Sequence, residues 1–433
     1  MTTPPDPVLD RALGRRDLTA FAVNRVIGGG IFGIPAVLFV AAGSLSIGAV
    51  VLAGLIVLGI TLCFAEVGSA FRDTGGPYLY AHQTFGPAVG FEIGWLMWVT
   101  QLGGFAAVTN LFVDYVGWFA PTLSGGAGRI VIITLIVVAL TVVNILGVRR
   151  AAGVNNLLTL AKLVPLGLFV LLGLFHVDAS LLVPTSAPSP TALAGAVLLA
   201  IYAFSGFEVL GVPSGEAQDP DRTVPFALLA GLGIVALVYV GVQVVAVGTL
   251  PDLGRSLRPL ADAAERMFGP AGAWVMVVGA LLSTLGVAHA ILLGAGRMPF
   301  AMAERGQLPA AVAAVHSRFR TPHVGLLVSA AGMLLFTVVT TFAAAVSITV
   351  GLRVIIYIVT CAALPVLRRR PGGSPARFRV PGGQALAAAC VLVAFGLLAS
   401  RPWGDIIQLA VVLALGGVVW AVAGRRPRTG TPH

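Results

Sequence analysis

The sequence predicts an all-α integral membrane protein of about 12 transmembrane helices, and three observations carry that prediction. Of its 433 residues, 58% are hydrophobic and only 10% charged, with a mean hydropathy of +0.97. No water-soluble domain of this length tolerates so apolar a composition. Apolar runs of roughly 18 to 25 residues, enough to cross about 30 Å of hydrocarbon at 1.5 Å per residue, recur along the chain. Finally, the runs are continuously apolar, whereas barrel strands alternate over about ten positions, so helices are what can satisfy the backbone in lipid.

In order, the expected spans are 18–43, 47–71, 88–118, 128–147, 153–175, 190–212, 225–249, 272–303, 323–342, 346–367, 383–399 and 404–424. Segment 1 is long, follows a polar tail and lacks a small-residue cleavage site, so no removable signal peptide is expected. The arginines concentrate in the amino-terminal tail, the even-numbered connections and the carboxyl-terminal tail, which places both termini in the cytoplasm by the positive-inside rule. The net charge of +10 is explained the same way. Arginines in short loops such as "RRRPGGSPARFR" anchor topology, and no folded basic domain for nucleic acid surrounds them. No connection is long enough to hold a soluble domain, so the function resides within the bilayer.

Segments 1 and 6 are interrupted. One reads "NRVIGGGIFGIPAVLF" and the other "IYAFSGFEVLGVPSGE", each with mid-segment glycines followed by a G-x-P sequence, Gly33 to Pro35 and Gly211 to Pro213. Such glycines serve either as a close-packing face between helices or as a site where the helix unwinds. Two interruptions five segments apart favour the second reading and point to an inverted repeat of segments 1–5 and 6–10 around a central site. An unwound stretch frees amides and carbonyls that lipid cannot satisfy, so it survives only beside a polar cavity or ligand. The domain scheme that follows is a tail 1–17, a first repeat 18–175, a second repeat 190–367, two further helices within 383–424, and a tail 425–433.

Segment 5 contains Lys162, the one lysine among 27 basic residues. Buried at mid-segment it costs roughly 2.5–3.5 kcal/mol on insertion scales, so it should face a cavity and find partners. Cys63, Cys361 and Cys390 are odd in number, lie in apolar runs and lack metal-ligand spacing, so they read as packing residues; neither a disulfide nor a metal site is expected. Nor does a catalytic constellation appear. The histidines are scattered, and candidate acids and bases are single residues on separate segments, so the chain is not expected to be an enzyme.

Four stretches in this order carry a resemblance: "VIGGGIFGIP", "AEVGSAFRDTGGPYLYAHQTFGPAVGFEIGWLMW", "FSGFEVLGVPSGEAQDPDRTVP" and "GRMPFAMAERGQLPAAVAAVHSRFRTPH". Together they resemble the amino acid, polyamine and organocation (APC) transporter superfamily over about segments 1 to 10, in particular its proton-coupled bacterial amino acid transporters. The resemblance implies a leucine-transporter-like 5+5 inverted repeat with broken helices 1 and 6, in the cell membrane, as a monomer or homodimer. It also implies a substrate-binding set of Val26, Ile27, Gly28, Gly29, Gly30, Ile31, Tyr202, Phe204, Ser205 and Gly206. In that set the amides of Gly29, Gly30 and Ile31 hold a substrate carboxylate, and carbonyls of Val26, Tyr202 and Ser205 hold its ammonium. Two broken helices suit a zwitterion, because they cluster donors beside acceptors without charged side chains.

By the same resemblance, Lys162 stands where related transporters hold sodium, so a proton and no sodium is the expected coupling ion, and no cofactor is implied. Its expected contacts are carbonyls near Ile27 and Gly28 and the hydroxyls of Ser283 or Thr284. A buried amine is disfavoured as a charge by desolvation and favoured by a carbonyl cage, so a change of cage loads or releases a proton. The alternative is a fixed cation that only cross-links helices. Glu208 is either a coupling residue or a static partner of Arg25. Phe207 and Tyr202 are candidate gates. Glu66, Glu92, Asp114 and Arg353 read as pairing or snorkelling residues, and His289 as a packing histidine. With no spare carboxylate besides Glu208, a neutral amino acid is expected as substrate, carried by proton symport; the alternative is an amino acid or polyamine antiporter.

Overall fold

The computed structural model describes residues 11–71, 73, 75–123, 125–184, 187–212, 216–256, 258–370, 376–399, 401 and 403–423. Most of the expected amino-terminal tail, all of the tail 425–433, and Pro213 of the second G-x-P sequence lie outside the described residues.

Helices occupy every predicted apolar run. They are α1 (Arg15–Val26), α2 (Ile34–Ala42), α3 (Ser46–Gly68), α4 (Pro77–Phe85), α5 (Pro87–Phe119), α6 (Gly126–Ile145), α7 (Val148–Gly173) and α8 (Ala179–Leu182). There follow α9 (Pro190–Ala203), α10 (Pro220–Thr249), α11 (Pro259–Phe268), α12 (Pro270–Ala295), α13 (Arg297–Glu304), α14 (His323–Val339), α15 (Phe342–Arg369), α16 (Gly383–Ala399) and α17 (Trp403–Ala423). Among the described residues, nine helical stretches are long and apolar enough to cross a membrane, and His323–Val339 and Gly383–Ala399 are shorter apolar helices. The only β-pairing among them is an isolated bridge. The protein is an all-α membrane protein.

Three short helices, α4, α8 and α11, were not expected, because none is an apolar run of spanning length. Glycine and proline punctuate two of their junctions. Gly269, at φ +72, stops α11 in the left-handed region, and Pro270 opens α12, where its missing N–H costs nothing. The predicted segments 1 and 6 do not run through: α1 stops at Val26 and α2 begins at Ile34, while α9 stops at Ala203.

Packing places the broken helices at the centre. α1 lies against α7, α10 and α12; α3 lies against α9, α10, α15 and α16; α5 lies against α12, α14 and α15. On the periphery, Leu135 of α6, Leu157 and Leu171 of α7 and Val418 and Val422 of α17 are exposed. An aliphatic belt of this kind suits hydrocarbon, which imposes no penalty on exposed apolar side chains.

Candidate functional site

The first break begins where α1 loses its helical dihedrals. Ile27 adopts φ −73, ψ 92 and Gly28 φ −99, ψ −168, both extended. A single 3-10 turn, Gly29–Phe32, follows, and α2 restarts with Pro35 in its first turn. The carbonyls at the end of α1 therefore have no helical donor ahead of them. Gly28 is half-buried and Gly30 exposed, and a Cβ on Gly30 would meet nothing within 4 Å. Open space lies beside this part of the break. Gly29, in contrast, is wedged: a Cβ there would stand 2.6 Å from Leu111 and from Thr284.

The second break follows α9. Ser205 N–H donates to the Tyr202 carbonyl at 3.1 Å, Gly206 turns at φ +122, and a short turn Phe207–Val209 continues the chain. Gly206 brings the two breaks into contact, since a Cβ built on it would lie 2.6 Å from the Arg25 carbonyl oxygen. Only glycine combines this φ with that approach. Ile31, Ile34 and Leu38 on one side and Ala203, Phe204 and Tyr239 on the other line a small cleft between the broken helices.

Lys162 lies mid-way along α7 and is fully buried. Its Nζ donates to the carbonyls of Asn24 (3.2 Å), Ile27 (2.5 Å) and Ser283 (3.3 Å). An ammonium has three protons, and here each has an acceptor. The expected hydroxyl contacts do not form. Ser283 Oγ donates instead to the Ile27 carbonyl at 3.3 Å, and Thr284 Oγ1 donates back to the carbonyls of Ala280 and Leu281, satisfying itself within α12. Asn24 Nδ2 reinforces the junction, donating to Asn155 Oδ1 and the Gly286 carbonyl.

Glu208 sits at the turn of the second break. Its Oε2 accepts the Gly206 N–H at 2.8 Å and the Tyr357 hydroxyl at 3.2 Å, and its Oε1 pairs with Arg353 Nε at 3.2 Å. Arg353 also donates to Ser205 Oγ. Arg353, read from the sequence as a pairing or snorkelling residue, pairs here and thus belongs to the site. Glu208 has it as ion partner in place of Arg25, which donates to Gln101 Oε1 of α5 at 2.8 Å and is nine-tenths buried. Two guanidiniums and one carboxylate share this region, with Arg25 in Coulombic reach of both others.

The remaining expected residues divide. The Val26 carbonyl accepts the Tyr239 hydroxyl at 3.0 Å and keeps a second lone pair, whereas the Tyr202 carbonyl accepts both Ser205 Oγ at 2.7 Å and Ser205 N–H at 3.1 Å. Phe207 is stacked on Tyr357 at 5.5 Å and edge-on to Phe64, a buried cluster that holds it as packing. Tyr202 is only partly buried and lies under Arg401 at 5.7 Å. Phe204 packs on Tyr239 at 5.0 Å. His289 is tied to the Ala151 carbonyl and Asn144, a packing role as expected. Glu66 pairs in two-pronged fashion with Arg368 at 2.6 and 2.7 Å. Asp114 is exposed, and Glu92 packs against Gly416 and Gly417 of α17.

The end of the bundle at which α1 begins is sealed. Leu13 N–H donates to the Glu216 carbonyl and Gln218 N–H to the Leu13 carbonyl, forming a parallel bridge of Leu13 with Ala217. The Glu216 side chain pairs with Arg297 of α13, both fully buried, with the Nη2 to Oε1 bond at 2.9 Å. Asn156 of α7 donates to Asp17 at 2.7 Å, and Arg377 pairs with Asp221 at 2.6 Å.

Comparison with known proteins matches this architecture. A family model described as amino acid permease aligns with residues 13–423. The chain is 27% identical to the serine/threonine exchanger SteT of Bacillus subtilis, covering 95% of this chain and 96% of that one. It is 26% identical to the branched-chain amino acid permease BcaP of the same organism, covering 96% and 94%. Against the large neutral amino acids transporter small subunit 2 of Oryctolagus cuniculus it is 28% identical over 86% of this chain and 72% of the other. The matched family model embraces both helix breaks, Lys162 and the sealed end, and the chain belongs to the amino acid permease family of the APC superfamily.

Proposed function

We propose that this protein carries an L-amino acid across the cell membrane by alternating access, in symport with a proton handled by Lys162. In this reading the chain crosses the membrane twelve times as a 5+5 inverted repeat with two added helices, both termini lie in the cytoplasm, and the protein works as a monomer or homodimer. The substrate carboxylate is held by the amides of Gly29, Gly30 and Ile31, beside the open space at Gly30, and its ammonium by the second lone pair of the Val26 carbonyl and by the Ser205 carbonyl. In this reading the sealed end is the cytoplasmic one.

The observation that carries the reading is the bonding of Lys162 across the junction between the broken end of α1 and α12. Its ammonium bridges the broken end of α1 and the backbone of α12. Displacement of α1 removes two of three acceptors and leaves a buried charge without its cage, which favours release of the proton. With an amine there, sodium has no place. The substrate side chain is proposed to be neutral, because Glu208, the one carboxylate at the breaks among the described residues, is already paired with Arg353, and Arg25 repels a cation.

The test is uptake of a panel of labelled amino acids into liposomes of purified protein, with and without an inward proton gradient, for wild type and Lys162→Ala. Gradient-driven accumulation lost in the variant, with binding retained, supports the reading. Equal transport with and without the gradient overturns it.

One observation favours a second reading, obligatory exchange. All three protons of Lys162 have acceptors in a single conformation, which suits a permanent clamp as well as a titrating group, and SteT is named an exchanger. Counterflow that requires internal amino acid and ignores the gradient would select it.

A further inference from the structure

Three cysteines remote in sequence converge between α3, α15 and α16. The sulfurs of Cys63, Cys361 and Cys390 all lie within 4.8 Å of one another. All three residues are buried and carry free thiols. The surrounding packing is close: a Cβ on Gly59, one turn before Cys63, would stand 3.3 Å from both Cys390 Sγ and Leu386 Cδ1. Three residues beyond Cys63, Glu66 binds Arg368 of α15 and the Val380 N–H that precedes α16. The same three chain segments are therefore fixed on one side of the thiols by an ion pair.

We propose that these thiols form a binding site for trivalent arsenic, taken up as arsenite. Ligand number and charge decide the class. In As(OH)3 three As–O bonds break as three As–S bonds form; each thiol proton leaves with one hydroxyl as water, and arsenic stays trivalent. The product is neutral, so no charge is carried into apolar surroundings. Zinc on three thiolates leaves a net charge of −1 and monovalent copper −2. The adjacent charged pair offers no compensation, because Arg368 is already engaged by Glu66, and an unpaired buried charge is costly. Bonds of about 2.3 Å from sulfur to a pyramidal central atom, at angles a little above 90°, place the three sulfurs about 3.3–3.5 Å apart. From separations of at most 4.8 Å the sulfurs close by up to about 1.5 Å, within reach of Cys side-chain rotation. A pyramidal three-coordinate centre also needs no fourth ligand, matching the three thiols present.

The experiment incubates the purified full-length protein with arsenite, removes the excess by gel filtration, and measures retained arsenic, alkylatable thiols and the arsenic X-ray absorption spectrum. The expected result is one arsenic per chain, three thiols protected in wild type, and three sulfurs around arsenic. Cys63→Ala, Cys361→Ala and Cys390→Ala each abolish retention while the melting temperature of the arsenic-free protein stays near wild type. Absence of retained arsenic, retention unaltered by the substitutions, or an arsenic shell with oxygen in place of the third sulfur overturns the proposal. Should a variant fail to fold, thiol protection and the spectrum of the wild type still decide. None of these readouts depends on transport.

Discussion

The Nζ of Lys162 stands 2.5 Å from the carbonyl oxygen of Ile27, so the chain's single lysine is bonded to the residue at which α1 stops being a helix. The same oxygen accepts the hydroxyl of Ser283. A charged donor and a neutral donor thus share one acceptor, and their removal should differ in consequence, because bonds to charged groups contribute more than neutral ones.

Ser283→Ala removes only the neutral donor and leaves Lys162 with all three acceptors, since its third is the Ser283 main-chain carbonyl. The expected loss is about 1 kcal/mol, with gradient-driven uptake slowed several-fold and still dependent on the gradient. Initial rates at two external pH values check this; loss of gradient dependence in Ser283→Ala would assign the hydroxyl a part in coupling.

Gly206→Ala should abolish transport. Its methyl group would fall 2.6 Å from the Arg25 carbonyl oxygen at a backbone φ of +122, and a non-glycine residue in such a position costs on the order of 1–3 kcal/mol before the clash is counted. Gly30→Ala, where a Cβ meets nothing within 4 Å, should fold with the wild-type melting temperature. If both variants transport alike, the contact between the breaks is not required.

Arg25→Ser tests selectivity. Arg25 and Arg353 place two positive charges by the breaks against the one carboxylate of Glu208, so removal of Arg25 should relax rejection of cationic side chains. Competition of labelled neutral substrate by lysine or ornithine should strengthen about tenfold, corresponding to 1.4 kcal/mol. Unchanged competition would mean that Arg25 serves only to hold Gln101.

Arg297→Met leaves Glu216 buried and unpaired at the sealed end. Breaking one partner of such a pair costs about 3–5 kcal/mol, and here that cost falls on the sealed conformation. A cysteine introduced at Ala217 should react with a membrane-impermeant maleimide, added on the side of the membrane that carries this end of the bundle, faster in Arg297→Met than in the parent. Equal labelling would show that the pair does not hold this end closed.

Much of the architecture was legible because lipid is a strict solvent: a backbone that crosses it must be helical and apolar for some 20 residues. The breaks were legible through Gly28 to Gly30 and Gly206, and Lys162 through the cost of its charge. What escaped was pairing across helices. Arg353 reads in the sequence as a pairing or snorkelling residue, but only the structure names its partner, Glu208. Its signal was Tyr357, one turn along α15, since both side chains reach the same carboxylate. Arg25 finds Gln101, 76 positions away, a partner that periodicity cannot nominate. The cysteines failed a spacing test that presumes ligands on one local motif, whereas each comes from a different helix. The helices α4 and α11 were missed because length and apolarity define only elements that cross the bilayer.

The bridge of Leu13 with Ala217 has a practical side for anyone handling this protein. A fusion partner, affinity handle or fluorophore attached just ahead of Leu13 pulls on the chain that follows the second break, and so loads the moving part directly. Purification and spectroscopy built on such handles would measure a biased molecule. Labels placed on the exposed aliphatic face of α6, at positions such as Leu135, avoid that contact.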